Sequence, residues 1–195
     1  MNRILILIVL LGVVFVFMQI VLKKNTNKVT EESYTVVKKF DNFEIRKYPE
    51  LFVASTLMDS SGYENNSNNG FRTVAGYIFG GNEKSQKIAM TSPVIMDLSD
   101  SVEMSFIMPN EVTAQNAPNP SDTSVQLKTR PGETLAVIRF SGWASSQKLK
   151  SKTDELIGYL KKQKIDFYGD PIYMGYNPPY QVVDRRNEIA IRVKI

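Results

Sequence analysis

The chain has 195 residues, with 24 lysines and arginines against 20 aspartates and glutamates, which gives a formal net charge of +4. It contains no cysteine and no histidine, so disulfides, thiolate nucleophiles and zinc–cysteine sites are excluded. The usual general base and the usual axial haem ligand are missing as well. The apolar content of 43% can build one domain of roughly 160 residues after an apolar N-terminal segment.

An uncharged apolar run from Ile4 to Leu22 opens the chain. A helix of this length, at about 1.5 Å per residue, nearly spans a hydrocarbon core of about 30 Å. Lys23 and Lys24 follow directly, without the cleavage site of a secretory signal, which is the alternative interpretation. We therefore predict an uncleaved membrane anchor over 1–22. Because only a very short segment precedes it, we predict a single-pass protein whose following domain lies outside the cytoplasm.

The next segment, 23–33, is polar and lacks periodicity, which predicts a linker to a domain over 34–195. That domain has nearly balanced charge, whereas a nucleic-acid-binding domain concentrates basic residues on one face. A short lysine cluster over 161–164 is explained by a helix end, where cations interact favourably with the helix dipole. We therefore predict no nucleic-acid partner.

The first half of the predicted domain contains strands on both sides of one helix. The helix is predicted over 71–81, with Asn68 or Asn69 as its cap and Gly80 and Gly81 at its end. Alternation of apolar and polar residues predicts the strands. They lie at 34–40, 43–57, 86–96 and 102–109.

The stretch "QKIAMTSPVIM" at 86–96 has two interpretations. Its alternating apolar residues beside a proline are typical of a strand edge, which predicts Ile88, Met90 and Val94 in the core. The alternative is that Met90 lines a ligand cavity, since methionine suits irregular apolar pockets.

The second half repeats the order of the first. A connector rich in proline and asparagine over 112–122 leads into it. It is predicted to contain strands at 124–129, 134–142, 171–179 and 187–195 and a helix at 145–163. The sequence therefore predicts an α+β fold, in which duplicated βαββ units form a distorted antiparallel β-barrel with two helices, preceded by one N-terminal transmembrane helix.

Two local features receive structural interpretations. In "DRRNE" at 184–188, the carboxylates are predicted to pair with the arginines where the last strand begins. The lone tryptophan, Trp143, is predicted to anchor one end of the barrel.

No phosphate-binding glycine loop, Gly-x-Ser-x-Gly motif or calcium loop is present, and the carboxylates are scattered. We therefore predict that the chain is not an enzyme.

Eight stretches in fixed order resemble the SOUL haem-binding proteins, from about Tyr34 to Ile195. They are "FEIRKYP", "GFRTVAGYIFGGN", "KIAMTSPV", "MSFIMP", "PNPSD", "AVIRFSGWA", "YMGYNPP" and "RRNEIAI". The resemblance implies the same duplicated βαββ barrel. It also implies that haem or a related tetrapyrrole binds in a shallow hydrophobic groove beside the first helix.

Carried over by position, the groove consists of one apolar helix face and a nearby loop. Its predicted residues are Phe71, Val74, Ala75, Ile78 and, after the two prolines at 178–179, Tyr180. A flat macrocycle needs such apolar wall area and a few polar contacts for its carboxylates. The alternative is that this face is simply core, as amphipathic helix faces usually are.

Some members of the family offer a histidine to iron, whereas this chain contains none. Tyr77, Tyr180, Met90 or a lysine are the remaining candidate ligands. Arg72 is the nearest cation on the helix for a haem carboxylate. We therefore predict haem binding without a strong axial ligand. The alternative is a module that binds another small hydrophobic molecule, or a protein, on the same fold.

Overall fold

The computed structural model describes residues 7, 9–14, 34–58, 63–178 and 181–194. From Thr35 onward the strands are β1 Thr35–Lys39, β2 Glu44–Tyr48, β3 Leu51–Leu57, β4 Val94–Asp97, β5 Glu103–Ile107, β6 Gln126–Arg130, β7 Glu133–Phe140, β8 Phe167–Gly175 and β9 Asn187–Val193. Helix α1, Tyr63–Ile78, lies between β3 and β4, and helix α2, Ser146–Lys162, lies between β7 and β8.

All the strands belong to one antiparallel sheet with the order β1-β2-β7-β9-β8-β4-β5-β3-β6. The two strand–helix–strand–strand units, β3-α1-β4-β5 and β7-α2-β8-β9, meet at its centre, where β4 pairs with β8 and Ile95 lies opposite Met174. Outward from this pair, each unit places its strands in the same order. The sheet is therefore built about an approximate two-fold axis between β4 and β8.

The sheet is a curled half-barrel and not the predicted barrel. Its edge strands are β1 and β6, and they do not pair with each other in the described part of the chain. All five residues of β1 are exposed, and its register shifts between Val36 and Lys38. Lysines and an irregular register are common means of preventing an edge strand from pairing further.

The predicted transmembrane helix over Ile4–Leu22 is also wrong on this structure. Within the described residues, no helix is both long enough and apolar enough to cross a membrane. Of that segment, the structure describes residues 7 and 9–14, which are helical. The predicted single-pass localisation rested on this helix and is corrected with it. The predicted linker, 23–33, lies outside the described residues.

Both helices occupy roughly the predicted positions, with one difference at the start of α1. Helix α2 begins after Ser145, whose hydroxyl accepts a hydrogen bond from the Lys148 amide at 3.3 Å, as an N-cap does. Helix α1 begins at Tyr63, so Asn68 and Asn69 lie inside it instead of capping it. Both asparagines are exposed, and their low helix propensity is a weak effect that packing of the rest of the helix overrides.

The stretch 86–96 forms a strand only in its second part, at β4. The Ser92–Pro93 peptide bond is cis, and β4 begins at the next residue. Ile88 is buried and Val94 packs against the core, but Met90 is 43% exposed, so its predicted place in the core is wrong.

The two faces of the sheet carry separate apolar clusters. Side chains alternate along each strand, so on β9 Ile189 and Ile191 point toward the helices while Ala190 points to the other side. The larger cluster contains the buried faces of α1 and α2. The smaller cluster lies on what we call the helix-free face, and its buried members are Tyr48, Ile95, Leu135, Val137, Ile172, Met174, Tyr176 and Ala190.

Two short turns connect the halves of the sheet at one end. Strand β2 pairs with β7 and β3 pairs with β6, so the turns β2–β3 and β6–β7 both pass from one half to the other. They touch at Gly132, where an added Cβ would lie 3.1 Å from the carbonyl oxygen of Tyr48. Only glycine allows this close approach of two backbones without a shift.

Candidate ligand-binding site

The predicted groove residues lie mostly in the core. Val74 is 0% exposed, Ala75 6% and Ile78 1%, and all three pack between α1 and the sheet. Phe71 is half-buried, with its ring centroid 5.1 Å from that of Phe106 on β5. Tyr180 lies outside the described residues. The structure therefore brings four of the five residues to one helix face, but that face meets the sheet.

The opposite face of α1 is open to solvent. Arg72 and Gly76 on α1 and Phe79, which directly follows the last residue of α1, are exposed and recur at helical spacing, with Phe79 61% exposed. A Cβ added at Gly76 would have no neighbour within 4 Å, so the helix surface there is flat and unobstructed. We call these three residues the exposed face of α1. It combines a cation, a flat backbone surface and an aromatic ring.

The segment after α1 runs beside the end of this face. Phe79 pairs with Lys87 in an isolated bridge, and the Ile88 amide donates to the Ile78 carbonyl at 2.8 Å. Met90 follows two residues later in the chain and is 43% exposed. Thioether sulfur is a known haem ligand.

Tyr77 is held away from solvent by the proline-rich connector. Its hydroxyl donates to the carbonyl of Pro118 at 3.1 Å, and the residue is buried. Burial raises the pKa of Tyr77, and the charge of Glu83 raises it further. A tyrosine must lose its proton to bind iron, so Tyr77 is a poor candidate ligand.

Asn82 links the segment that follows α1 to the proline-rich connector. Its amide nitrogen donates to the carbonyls of Tyr77 and Gln86 at 3.0 and 2.8 Å, and its oxygen accepts from the Gln86 amide at 3.0 Å. Asn82 also bridges to Pro120. The motifs "GGN" and "PNPSD" therefore form one structural clamp at the end of α1. The sequence contained both motifs, but their contact depends on the tertiary fold.

A buried ion cluster occupies part of the helix-free face. Glu188 is fully buried and accepts hydrogen bonds from Arg46 at 2.9 Å and from Arg186 at 3.0 and 2.7 Å. The Tyr176 hydroxyl donates to the same carboxylate at 2.7 Å. The predicted pairing of Arg186 with Glu188 is present, whereas sequence reasoning did not identify Arg46, which lies on a distant strand.

The charges of this cluster are fixed by its surroundings. Burial raises the pKa of Tyr176 well above its ordinary value, and the charge of Glu188 adds to that effect. Burial and Glu188 also raise the pKa of Tyr48. Burial alone would lower the pKa of Arg46, but the Glu188 carboxylate, together with Tyr48 and Tyr34, outweighs it and the pKa is raised. Both tyrosines therefore stay neutral, and neither offers a phenolate to a metal.

A second set of charges forms a closed ring on the same face. Arg130 donates to Asp97 at 2.5 and 3.1 Å and to Glu133 at 3.2 and 3.0 Å. Arg192 donates to Glu133 at 2.5 Å and to Asp97 at 3.3 Å. We call these four residues the ion ring. It joins β4, β6, β7 and β9 and carries no net charge.

The ion ring predicts an acid-dependent loss of stability. Burial alone would raise the pKa of Asp97, but the hydrogen bonds and charge of Arg130, with Arg192, outweigh it and lower the pKa. Because the pKa of Asp97 is lower in the folded chain, this stabilisation is complete above the pKa of the unfolded chain, which is about 4. It is lost as the pH falls through the pKa of the folded chain. Asp97→Asn should lower the free energy of unfolding at neutral pH by about 1.5–3 kcal/mol. In this variant the free energy of unfolding should also fall less steeply as the pH is lowered.

Urea unfolding between neutral pH and about pH 3 measures both effects. Asp100→Asn, on an exposed turn, is the matched control and should follow the parent chain. An Asp97→Asn variant that loses stability with acid as steeply as the parent would contradict this role of the ion ring.

The loop between β8 and β9 is organised around Arg185. Its guanidinium donates to the carbonyls of Pro178 at 2.9 Å and Gln181 at 2.6 Å. It also lies 4.1 Å from the centroid of the Trp143 ring. Trp143 is mostly exposed, so its ring lies on the solvent side of Arg185. Such a stack is a cation–π contact at the sheet end.

The sequence of the chain matches the model of one protein family. The family model described as SOUL heme-binding protein matches residues 29–192. This match covers most of the chain. The chain belongs to the SOUL heme-binding protein family. The predicted family resemblance is thereby confirmed, and the clamp at Asn82 is part of the region that carries it.

Curated relatives of this SOUL-family chain are named for haem. The chain is 31% identical over 157 residues to "Heme-binding protein 2" of Mus musculus, covering 76% of each chain. It is also 31% identical over 157 residues to "Heme-binding protein 1" of Xenopus laevis, covering 75% of this chain and 81% of that protein.

Solved structures of different names share the fold of this SOUL-family chain. The C-terminal domain of EcmrR superposes with a TM-score of 0.61 at 11% identity, covering 83% of this chain and 98% of that chain. A structure titled as a hydrolase from Listeria innocua gives a TM-score of 0.56 at 9% identity, covering 81% and 94%. At such low identity these likenesses show the fold alone.

Proposed function

We propose that this chain binds haem or a related tetrapyrrole, and that its role is binding and not catalysis. Membership of the SOUL heme-binding protein family is the observation that carries this proposal. The names of the curated relatives support it. The open face of α1 supplies a surface with suitable chemistry.

The proposed site is the exposed face of α1. A ligand on the predicted groove residues would have to separate α1 from the sheet, because Val74 and Ile78 have almost no exposed surface. Burial of such side chains stabilises the fold by about 1.5–3 kcal/mol each, so that separation is costly. Phe71 is half-buried at the helix edge. It is the predicted groove residue that a ligand can reach while α1 stays packed on the sheet.

The residues present fit a tetrapyrrole at this surface. The flat helix surface at Gly76 and the ring of Phe79 provide apolar contact area. The guanidinium of Arg72 can bind a haem carboxylate, since arginine binds carboxylates with paired hydrogen bonds. Met90, which is 43% exposed and follows Ile88 by two residues, offers a thioether. When bound, haem would supply the redox and ligand-binding chemistry of its iron, while these residues hold and orient it.

A substitution at Gly76 tests the site without disturbing the core. Gly76→Asp should weaken haem binding at least about tenfold, because a carboxylate would lose its hydration against the macrocycle. The fold should be retained, since aspartate has a slightly better helix propensity than glycine and the position is open. A titration of the full chain with haem, followed by Soret absorbance, measures the affinity.

Gly158→Asp is the matched control. Gly158 is exposed on α2, and a Cβ there also has no neighbour within 4 Å, so the same charge is added to the equivalent helix. This variant should bind haem within about twofold of the parent. Equal weakening by both variants, or no weakening by Gly76→Asp, would contradict the exposed face of α1 as the site.

A further inference from the structure

The exposed face of α1 is flat, whereas a tetrapyrrole has two large apolar faces. A Cβ added at Gly76 would have no neighbour within 4 Å, and Phe79 beside it is 61% exposed. A ligand that lies on this surface therefore contacts the chain through one of its faces. Small-molecule sites typically bury roughly 70–90% of their ligand, and apolar surface left in water is unfavourable. One copy of the exposed face of α1 is thus an incomplete site for a macrocycle.

The charge on this face is also half of what haem requires. Arg72 is the one charged residue between positions 67 and 79, and it is exposed. Lys87 is exposed as well, but it pairs with Phe79, which lies about 10 Å along the helix from Arg72. Haem carries its two carboxylates on one edge of the ring. A single copy therefore offers one cation, Arg72, to that edge.

We propose that one haem, or a related dicarboxylate tetrapyrrole, bridges two copies of this chain, with an exposed face of α1 against each side of the ring. This inference rests on the proposed haem function and adds the partner that completes the site. The ring has an approximate two-fold axis in its plane, between the two carboxylates, which exchanges its faces and its carboxylates. Two copies related by this axis each place Arg72 on one carboxylate. Such a two-fold pair is the commonest symmetry of soluble oligomers.

The pairing requires the ligand, because the free faces repel each other. Without haem, both copies bring an Arg72 guanidinium to the same contact, and the segment 67–79 contains no carboxylate to balance them. Like charges placed together across an interface oppose association. The chain should therefore gain this partner only when haem is added. Since the contacts involve the ring faces and the carboxylates, iron-free protoporphyrin should also bridge two copies.

Stoichiometry and mass measure the bridge directly. A Soret titration of the full chain should reach its end point at one haem per two chains. Sedimentation velocity followed at the Soret wavelength should then show a species of twice the mass of the haem-free chain. Excess haem occupies each copy separately by mass action, so the doubled species should decline as more haem is added. Iron-free protoporphyrin, followed at its own absorbance band, should give the same pattern.

Arg72→Gln should remove the doubled species and weaken haem binding at least about tenfold, because both carboxylates lose their cation. The fold should be retained, since Arg72 is exposed and glutamine has a similar helix propensity. Lys84→Gln is the matched control, because it removes the same charge from an exposed position in the turn after α1. This variant should keep both the end point and the doubled mass.

One haem per chain at unchanged mass, while Gly76→Asp still weakens binding, would overturn the bridge and leave the proposed haem site standing. Doubling that occurs without haem, that requires iron, or that persists in a folded Arg72→Gln variant would also overturn the bridge. The absence of any saturable haem binding would refute the proposed function, and the bridge with it.

Discussion

Glu188→Gln should reduce the free energy of unfolding by about 3–5 kcal/mol, because it removes the charge that two buried guanidinium groups share. Arg46 and Arg186 both donate to this fully buried carboxylate. Glutamine keeps the shape but places an amide nitrogen beside one of the cations. Since small domains are typically stable by only about 5–15 kcal/mol, this is one of the largest single-residue effects we expect. Urea unfolding at neutral pH measures it.

Glu44→Gln is the matched control for that prediction. Glu44 also binds Arg46, at 2.8 Å, but its side chain is partly exposed. Partly solvated pairs contribute about 0–1 kcal/mol, so this variant should be close to the parent. Similar losses for Glu188→Gln and Glu44→Gln would show that burial does not determine how much each carboxylate contributes to stability.

Ala75→Asp should prevent stable folding, and any loss of haem binding should accompany the loss of structure. Ala75 is 6% exposed on the buried side of α1, so an aspartate there would be charged and unpaired in an apolar core. An unpaired buried charge costs several kcal/mol, comparable to the stability of the domain. Circular dichroism during urea unfolding measures the fold, and a Soret titration measures haem binding.

The neighbouring variant, Gly76→Asp, adds the same charge one position away and should keep the parent fold. An Ala75→Asp variant that unfolds at the parent's urea concentration but fails to bind haem would reverse this interpretation. It would show that the face containing Val74 and Ile78 is accessible, as the sequence predicts, and is not only core.

The helix positions were predictable because the spacing of Val74, Ala75 and Ile78 identifies one apolar face. The spacing cannot tell whether such a face meets the sheet or a ligand, since both require apolar residues. The exposed face of α1 contains a glycine and a cation, which individually are ordinary surface residues. The exposed ring of Phe79 beside them is visible only in the folded structure.

The polar clusters depend on contacts between distant parts of the chain. Arg46 and Glu188 are 142 residues apart in sequence, and the ion ring joins four strands. No local pattern predicts such pairs, because they depend on which strands are neighbours. Strand β2 pairs with β7 and strand β6 pairs with β3, so each joins the half of the sheet that is distant from it in sequence.

The most direct test of the proposed haem site is amide NMR of the full chain during haem addition. Bound haem iron broadens nearby resonances, so signals of Arg72, Gly76, Phe79 and the segment 87–90 should weaken together and saturate with haem. Amides of the helix-free face, such as those of Ile95 and Met174, should keep their intensity. Broadening that centres on the helix-free face, or that increases uniformly without saturation, would contradict the proposal.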